Sequence, residues 1–255
     1  MIDAATRFAA DGYAIIPGFM GTTQIARYRA ICDRILAQWR AEHPEAAGQR
    51  TTNMAYLTDP RYFAEYEEEL VALLKLIADP RVVDLLHAVG FETPLFHNTQ
   101  YFMESDELAW PGMWHRDTQF MAPNPDTERE RMEGSHSVHF RIAFIEDAAL
   151  DYVPRSERRW DEPAELAIRL HEDDNVRRES AMPGAVAVPL KAGDAALFHA
   201  WGIHRGRYAP LPVGRSLDII YADRRVAWAP PSAMDHIGPR VAWRLGPEAR
   251  RFFAL

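Results

Sequence analysis

Three side chains that favour metal ions lie in two short stretches of the sequence. His115 and Asp117 are separated by one residue within the strand-like run 113–121, and His204 ends the run 195–204. In a strand, residues i and i+2 point to the same face, so His115 and Asp117 can both reach one ion. Two histidines and one carboxylate form the facial triad that holds non-heme Fe(II) and leaves positions open for substrates. The sequence therefore predicts an iron site.

The spacing between the first histidine and the aspartate is a weak signal by itself, because it also arises by chance. His171 and Asp173 show the same spacing, but they lie in a run of charged and polar residues at 169–175. His115 has aromatic and apolar neighbours, so its stretch can be half-buried. We therefore predict that the metal site uses the pair that contains His115.

Two histidines compete for the third ligand position. His199 and His204 are five residues apart in one strand-like run, so a regular strand sends them to opposite faces. Only one of them can then face the metal. We assign His204, because it ends the run beside a Gly- and Pro-rich turn where a site can open. We expect His199 to be a packed, hydrogen-bonded histidine.

A permanently charged side chain follows the second histidine. Arg215 comes after the Gly- and Pro-containing linker 206–214 and leads into the strand-like run 216–222. Its guanidinium is a rigid fork that matches a carboxylate. A surface arginine is the alternative, but the triad upstream favours a ligand role. The far carboxylate of 2-oxoglutarate is the group that such an iron site needs to hold.

The chain changes character near Gly90. Before it, apolar residues at helical spacing predict helices at 4–10, from Thr22 onward, at 66–77 and at 82–89, with a short strand at 13–16. After it, strand-like runs are separated by Pro, Gly and charged clusters. These runs are 95–103, 113–121, 137–146, 185–190, 195–204 and 216–222. We expect one mostly β domain over 1–255, with a helical layer of about 1–90 on a barrel-like sheet core.

Composition excludes several other classes of protein. The net charge is -8, which makes nucleic acid an unsuitable partner. Residues 1–10 lack the basic start and long apolar run of a signal peptide. No stretch approaches the roughly 20 apolar residues of a membrane span. Cys32 is the single cysteine, so no intrachain disulfide can form. We expect a cytoplasmic protein without a membrane partner.

Taken together, these motifs resemble the phytanoyl-CoA dioxygenase family, which includes ectoine hydroxylase. The resemblance covers most of the chain in order. Its matching stretches are 8–19, 113–117, 150–154, 193–206 and 214–216. It implies a double-stranded β-helix, the jelly-roll or cupin-like core. It also implies Fe(II) bound by His115, Asp117 and His204, with 2-oxoglutarate held by Arg215 and contacted by Gln100.

The same resemblance implies an activity. With 2-oxoglutarate and O2 as cosubstrates, the enzyme would hydroxylate an unactivated C–H bond of a small-molecule metabolite or natural-product intermediate. Asp117 is retained, which argues against a halogenase, since those enzymes leave that position open for halide. Two departures alter the site's surroundings. The family's Pro-Gly-Ser-His stretch is replaced by residues 154–157, and Gly206 stands where relatives often carry a serine.

Alternation in the run 138–146 suggests which side chains enter the sheet core. Val138 and its i+2 neighbours are apolar, whereas the opposite face carries His139 and Arg141. If the apolar face packs under the helical layer, Arg141 points into the barrel. There it can hold an acidic group of the substrate. The alternative is a buried arginine that is paired with a structural carboxylate.

Other substrate contacts follow only from position. Gln119 shares the face of His115 and Asp117 and is predicted to border the substrate. Trp201, together with Trp110 and Trp114, can line the pocket, although aromatic residues usually fill cores. The charged segment 154–183 is a candidate lid, because loops of that length in compact domains are often functional.

Two other functions compete with the oxygenase. A cupin-like metalloenzyme can use the same ligands without 2-oxoglutarate, but Arg215 argues against it. A non-catalytic binding barrel has no need for a complete ligand set. The substrate's identity, the carbon that is oxidised and the oligomeric state do not follow from the sequence.

Overall fold

The computed structural model describes residues 2–46, 53–102, 110–134, 136–148, 150–208, 216–223, 234 and 236–255. Four of its helices lie in the first 90 residues, where the apolar spacing predicts helices, and five more follow later in the chain. In chain order they are α1 Ile2–Asp11, α2 Thr22–Glu42, α3 Glu67–Ile77, α4 Pro80–Ala88, α5 Pro125–Gly134, α6 Pro163–Arg169, α7 Asp174–Glu179, α8 Pro239–Leu245 and α9 Pro247–Phe253. Asp79 accepts a hydrogen bond from Arg81 N and caps the start of α4, where Pro80 is the first helical residue.

The strands form two antiparallel sheets. In chain order they are β1 Tyr13–Ile16, β2 Asn53–Ala55, β3 Pro94–Phe102, β4 Trp110–Pro111, β5 Ser137–Ala143, β6 Leu150–Tyr152, β7 Val186–Ala187, β8 Ala195–His199, β9 His204–Tyr208 and β10 Ser216–Asp223. One sheet has the order β1-β8-β5-β10-β3-β2, and the other has the order β4-β9-β6-β7. This is the mostly β architecture with flanking helices that the sequence predicts.

Strand β5 shows how the layers are assembled. All seven of its residues are buried, because the strand is covered on both faces. Val138, Phe140 and Ile142 belong to the large apolar cluster that α2, α3 and α4 also line. Ala143, on the opposite face, packs with residues of both sheets in a second cluster. The predicted packing of the apolar face under the helical layer is therefore confirmed.

Neighbouring strands of the larger sheet carry polar side chains in register on that opposite face. Asp218 of β10 lies opposite Arg141 of β5 on one side and opposite Gln100 of β3 on the other. Directly paired residues point to the same face of a sheet. These three side chains therefore share the face that β5 turns away from the helices.

Four predicted strands are wrong in their extent. The run 137–146 forms a strand only over Ser137–Ala143, and the run 185–190 only over Val186–Ala187. The run 113–121 is not a strand, because it makes only one bridge, between His115 and His204, and then forms a 3-10 helix at Asp117–Phe120. The run 195–204 divides into β8 and β9, which belong to different sheets. The turn between them places Gly202 against the ring of Tyr152, with no space for a larger residue.

No helix among the described residues is long and apolar enough to cross a membrane.

Candidate metal centre

The three predicted ligands meet between the two sheets. Nε2 of His115 lies 3.4 Å from Oδ1 of Asp117, and Nε2 of His204 lies 3.5 Å from the same oxygen. One ligand atom from each residue lies within 4.8 Å of the others. The backbone fixes this arrangement, because His115 and His204 exchange two N–H···O hydrogen bonds of 3.0 and 2.9 Å. The bridge sets the two imidazoles side by side, and the turn at Asp117 brings in the carboxylate.

Both histidines are held in the tautomer that a metal ligand requires. Nδ1 of His115 lies 2.8 Å from the carbonyl oxygen of Met113, and Nδ1 of His204 lies 2.9 Å from that of Gly202. A carbonyl oxygen only accepts, so each Nδ1 carries the proton and each Nε2 keeps its lone pair for the site. Burial and the neighbouring His115 lower the pKa of His204 to about 3, so its imidazole is neutral.

Asp117 is held as a carboxylate. Burial by itself would raise its pKa, but the neighbouring His139 and the hydrogen bond between them hold the pKa well below its usual range. Its backbone N–H donates to the carbonyl oxygen of Ala200, on the turn that leads towards His204. The site therefore presents the Nε2 atoms of two imidazoles and one carboxylate, the donor set that suits Fe(II).

His139 is a functional neighbour whose role the sequence did not reveal. Its Nε2 lies 2.8 Å from Oδ2 of Asp117, and its Nδ1 lies 3.2 Å from Oδ2 of Asp218. Burial alone would lower the pKa of His139, but the two carboxylates outweigh it and raise the pKa to about 9. Alternation along β5 was the only available signal, since it turns His139 away from the helical layer.

Arg141 lies on the same face but already has anionic partners. Its Nη2 and Nε lie 2.9 and 3.0 Å from Oδ2 of Asp147, and its Nε lies 3.8 Å from Oδ1 of Asp218. All three side chains are almost fully buried. This geometry favours the alternative of a buried arginine paired with a structural carboxylate. The substrate role of Arg141 gains no support from it.

A second buried ionic cluster lies behind the metal ligands. Arg116, between two of the ligands in sequence, pairs with Asp161 at 2.6 Å, and Asp161 accepts from Arg169 at 2.7 Å. Arg169 also donates hydrogen bonds to Glu128 Oε1 and to Gln119 Oε1, each at 2.9 Å. Gln119 is therefore oriented by Arg169 rather than by the predicted strand.

The segment 154–183 contributes to this cluster. Asp161 and Arg169 belong to it, and both side chains are fully buried in ion pairs. Moving that part of the segment would expose or separate buried charges, which is costly. The portion around α6 is therefore part of the wall behind the ligands.

The remaining predicted residues are distributed around the site. Trp201 is buried in the turn before His204, and its carbonyl oxygen accepts from Arg116. Gln100 is half-buried on the polar face of the larger sheet. Arg215 lies outside the described residues. Its neighbour Ser216 is buried on the same face of β10 as Asp218, and its Oγ has no hydrogen-bond partner among the described residues.

His199 and His171, the two candidate histidines not assigned to the metal site, make other contacts. His199 Nδ1 accepts from Trp201 N at 3.2 Å, so its Nε2 carries the proton that is shared with His136 Nδ1 at 2.9 Å. Burial and the neighbouring His136 hold the pKa of His199 well below its usual range. His171 is exposed and its Nδ1 accepts from the backbone of Asp173.

Comparison with known proteins defines the class of this site. The profile of the family described as phytanoyl-CoA dioxygenase (PhyH) matches residues 8–208, and the chain belongs to that family. A search of curated proteins gives no significant match. The family's jelly-roll fold agrees with the two antiparallel sheets. Fe(II), 2-oxoglutarate and O2, the cofactors expected from the sequence, are confirmed by the family and the ligand set.

Solved structures show the same fold at low sequence identity. The non-heme alpha ketoglutarate dependent carbocyclase SnoK from nogalamycin biosynthesis is 18% identical, with a TM-score of 0.60 over 96% of this chain and 91% of its own. HygX from Streptomyces hygroscopicus, with nickel and 2-oxoglutarate bound, is 16% identical, with a TM-score of 0.59 over 87% and 86%. EctD from S. alaskensis, with 2-oxoglutarate and 5-hydroxyectoine, is 18% identical, with a TM-score of 0.57 over 95% and 82%.

Replacing Gly202 by alanine is expected to damage both packing and the site. A Cβ at this position would lie 2.1 Å from Oη of Tyr152, whose ring is fully buried and cannot move away. Overpacking of this kind costs about 1–3 kcal/mol. Because the Gly202 carbonyl holds Nδ1 of His204, metal affinity should fall as well. Urea denaturation measures the loss of stability, and a Co(II) titration measures the loss of metal affinity. An unchanged urea midpoint would show that the Tyr152 ring can shift to make room for the new methyl group.

Proposed function

We propose that this protein is an Fe(II)- and 2-oxoglutarate-dependent dioxygenase that hydroxylates an unactivated C–H bond of a small molecule. The observation that carries the proposal is the convergence of His115, Asp117 and His204 with both free imidazole nitrogens aimed at one point. Family membership supports the same class of enzyme. In this proposal the helical layer and both sheets act as one oxygenase domain.

The residues of the chain would divide the work as follows. The triad would hold the iron, and the bound iron with 2-oxoglutarate supplies the oxidising chemistry. Arg215 would pair with the far carboxylate of 2-oxoglutarate. Gln100 and Ser216 share one face of the larger sheet, and the Ser216 hydroxyl has no hydrogen-bond partner within the described part of the chain, which suits an anionic cosubstrate. The sheets around the triad would exclude water from the reaction.

Phe120 marks the side from which a substrate could approach. Its ring is 64% exposed, although it lies only 5.2 Å from the ring of His115. An exposed aromatic ring so close to a ligand offers an apolar surface to a substrate. We therefore add Phe120 to the proposed substrate contacts, beside Gln119. Trp201 is only 1% exposed, so its predicted place in the pocket gains no support.

Ring closure is the second outcome that an observation favours. SnoK, one of the proteins with this fold, is described as a carbocyclase. Oxidation of a C–H bond at the same kind of site can therefore end in a new bond within the substrate rather than in a hydroxyl group. Analysis of the product formed from a turned-over substrate separates the two outcomes.

The enzyme class is tested by an anaerobic titration with Fe(II) and 2-oxoglutarate. The parent protein is expected to develop the visible charge-transfer band of the chelated complex, and Arg215→Ala should weaken it, because the guanidinium no longer holds the far carboxylate. Absorbance at increasing 2-oxoglutarate concentration gives the affinity of each protein. A folded, iron-loaded parent without the band would contradict 2-oxoglutarate dependence and favour the cupin-like or non-catalytic alternatives.

A further inference from the structure

A continuous line of buried charged side chains runs inward from the metal centre. It begins at Asp117, passes through His139 to Asp218, and continues through Arg141 to Asp147, with successive contacts of 2.8, 3.2, 3.8 and 2.9 Å. His139, Arg141, Asp147 and Asp218 have side-chain exposures of 5% or less. The three carboxylates alternate with His139 and Arg141, so each buried carboxylate contacts a nitrogen-bearing side chain.

His139 is held on several sides within this line. Each of its ring nitrogens faces a carboxylate oxygen, from Asp117 and from Asp218. Its ring stacks on that of Phe198, with centroids 4.7 Å apart and an interplanar angle of 10°. A ring that is fixed by two hydrogen bonds and a stacking contact has little freedom to rotate. It can therefore fix the orientation of what it contacts.

The two carboxylate oxygens of Asp117 have different partners. Oδ2 is taken up by His139, whereas Oδ1 lies 3.4 and 3.5 Å from Nε2 of His115 and His204. Oδ1 is therefore the oxygen that faces the two ligand nitrogens. A freely rotating carboxylate would exchange its oxygens or bind an ion through both.

We propose that His139 is a positioning residue, which clamps Asp117 so that the carboxylate binds the metal through one oxygen. Asp218 anchors the other side of the ring, and Arg141 and Asp147 anchor Asp218. This inference rests on the proposed function only in requiring a metal at the triad. Residues that orient metal ligands typically change metal affinity by about 10–100-fold when they are replaced.

The test compares Co(II) binding by the metal-free parent, His139→Leu and His139→Gln under anaerobic conditions. We expect His139→Leu to weaken Co(II) binding by about 10–100-fold and to alter the visible Co(II) spectrum, because the hydrogen bond that holds Oδ2 of Asp117 is lost. Glutamine can place an N–H near the position of the imidazole Nε2, so His139→Gln should recover most of the affinity. Melting curves establish that each variant is folded.

His199→Leu is the matched control. His199 is also buried, lies on the neighbouring strand β8 and is hydrogen-bonded through both ring nitrogens, but its partners are His136 and Trp201. Its replacement should leave the Co(II) affinity and spectrum unchanged. If His139→Leu does not fold, the double variant His139→Leu/Asp218→Asn takes its place, because it also removes the buried carboxylate whose Oδ2 has lost its partner.

The possible outcomes separate this inference from the proposed function. A folded His139→Leu protein with the parent's Co(II) affinity and spectrum overturns the positioning role and leaves the oxygenase proposal intact. A loss of affinity that His139→Gln does not restore also overturns the clamp, since it points to packing alone. A parent that binds Co(II) but gives no charge-transfer band with Fe(II) and 2-oxoglutarate overturns the oxygenase and leaves the clamp. A parent that binds no Co(II) overturns both.

Discussion

The His204→Ala variant is expected to lose Fe(II) binding and 2-oxoglutarate-dependent succinate formation. His204 is one of three protein ligands, and its neutral Nε2 is aimed at the site by the hydrogen bond to Gly202. Alanine leaves two ligands and opens a buried space. Replacing a residue that only supports a ligand costs about 10–100-fold in affinity, so removing the ligand itself should cost at least about 100-fold.

Succinate released per minute and Fe(II) bound per chain are the two measurements for this variant. His199→Ala is the control, because it removes a buried histidine five residues upstream that does not contact the triad. It should retain iron binding. Full activity of His204→Ala would show that the third ligand is another residue and would remove the assignment.

Asp161→Ala is expected to destabilise the protein by about 3–5 kcal/mol, the cost of breaking a buried ion pair by removing one partner. Asp161 is the shared partner of Arg116 and Arg169, and all three side chains are fully buried. Without the carboxylate, two guanidinium groups remain in the interior. Because Arg116 lies between His115 and Asp117 in the chain, the loss should also loosen the metal site.

The free energy of unfolding from urea denaturation measures this effect. Asp174→Ala is the matched control in the same segment, since Asp174 also pairs with an arginine, Arg177, but its side chain is 60% exposed. An exposed ion pair contributes about 0–1 kcal/mol, so the control should change stability little. Equal effects of the two substitutions would show that the buried cluster carries no special stability.

Much of the site could be predicted because its signals are local. The triad residues carry their own chemistry in the sequence, and their surroundings distinguished His115 from the exposed His171. The alternation argument for His204 over His199 assumed one continuous strand, and the structure contradicts that assumption, because the two residues lie in β9 and β8 of different sheets. The helical layer and the buried apolar face of β5 followed from periodicity, which depends only on nearby residues.

Two of the predicted strands that proved wrong lie where the chain's conformation depends on contacts between residues distant in sequence. The run 113–121 alternates like a strand, yet after His115 the chain is drawn into a 3-10 helix, where Asp117 N donates to Ala200 O. The break between β8 and β9 occurs where Gly202 packs against Tyr152, about 50 residues away. Side chains and turns that meet across such separations leave no periodic signal.

The sequence by itself determined the ligand types, their family and the mostly β class, because these follow from residue identity and short-range pattern. Only the tertiary structure decided which charges pair. The partners of Arg141, His139 and Arg116 are Asp147, Asp218 and Asp161, and a sequence with 37 acidic residues does not indicate which of them will be neighbours. Burial makes those pairings strong, and burial is a property of the packed chain rather than of any one residue.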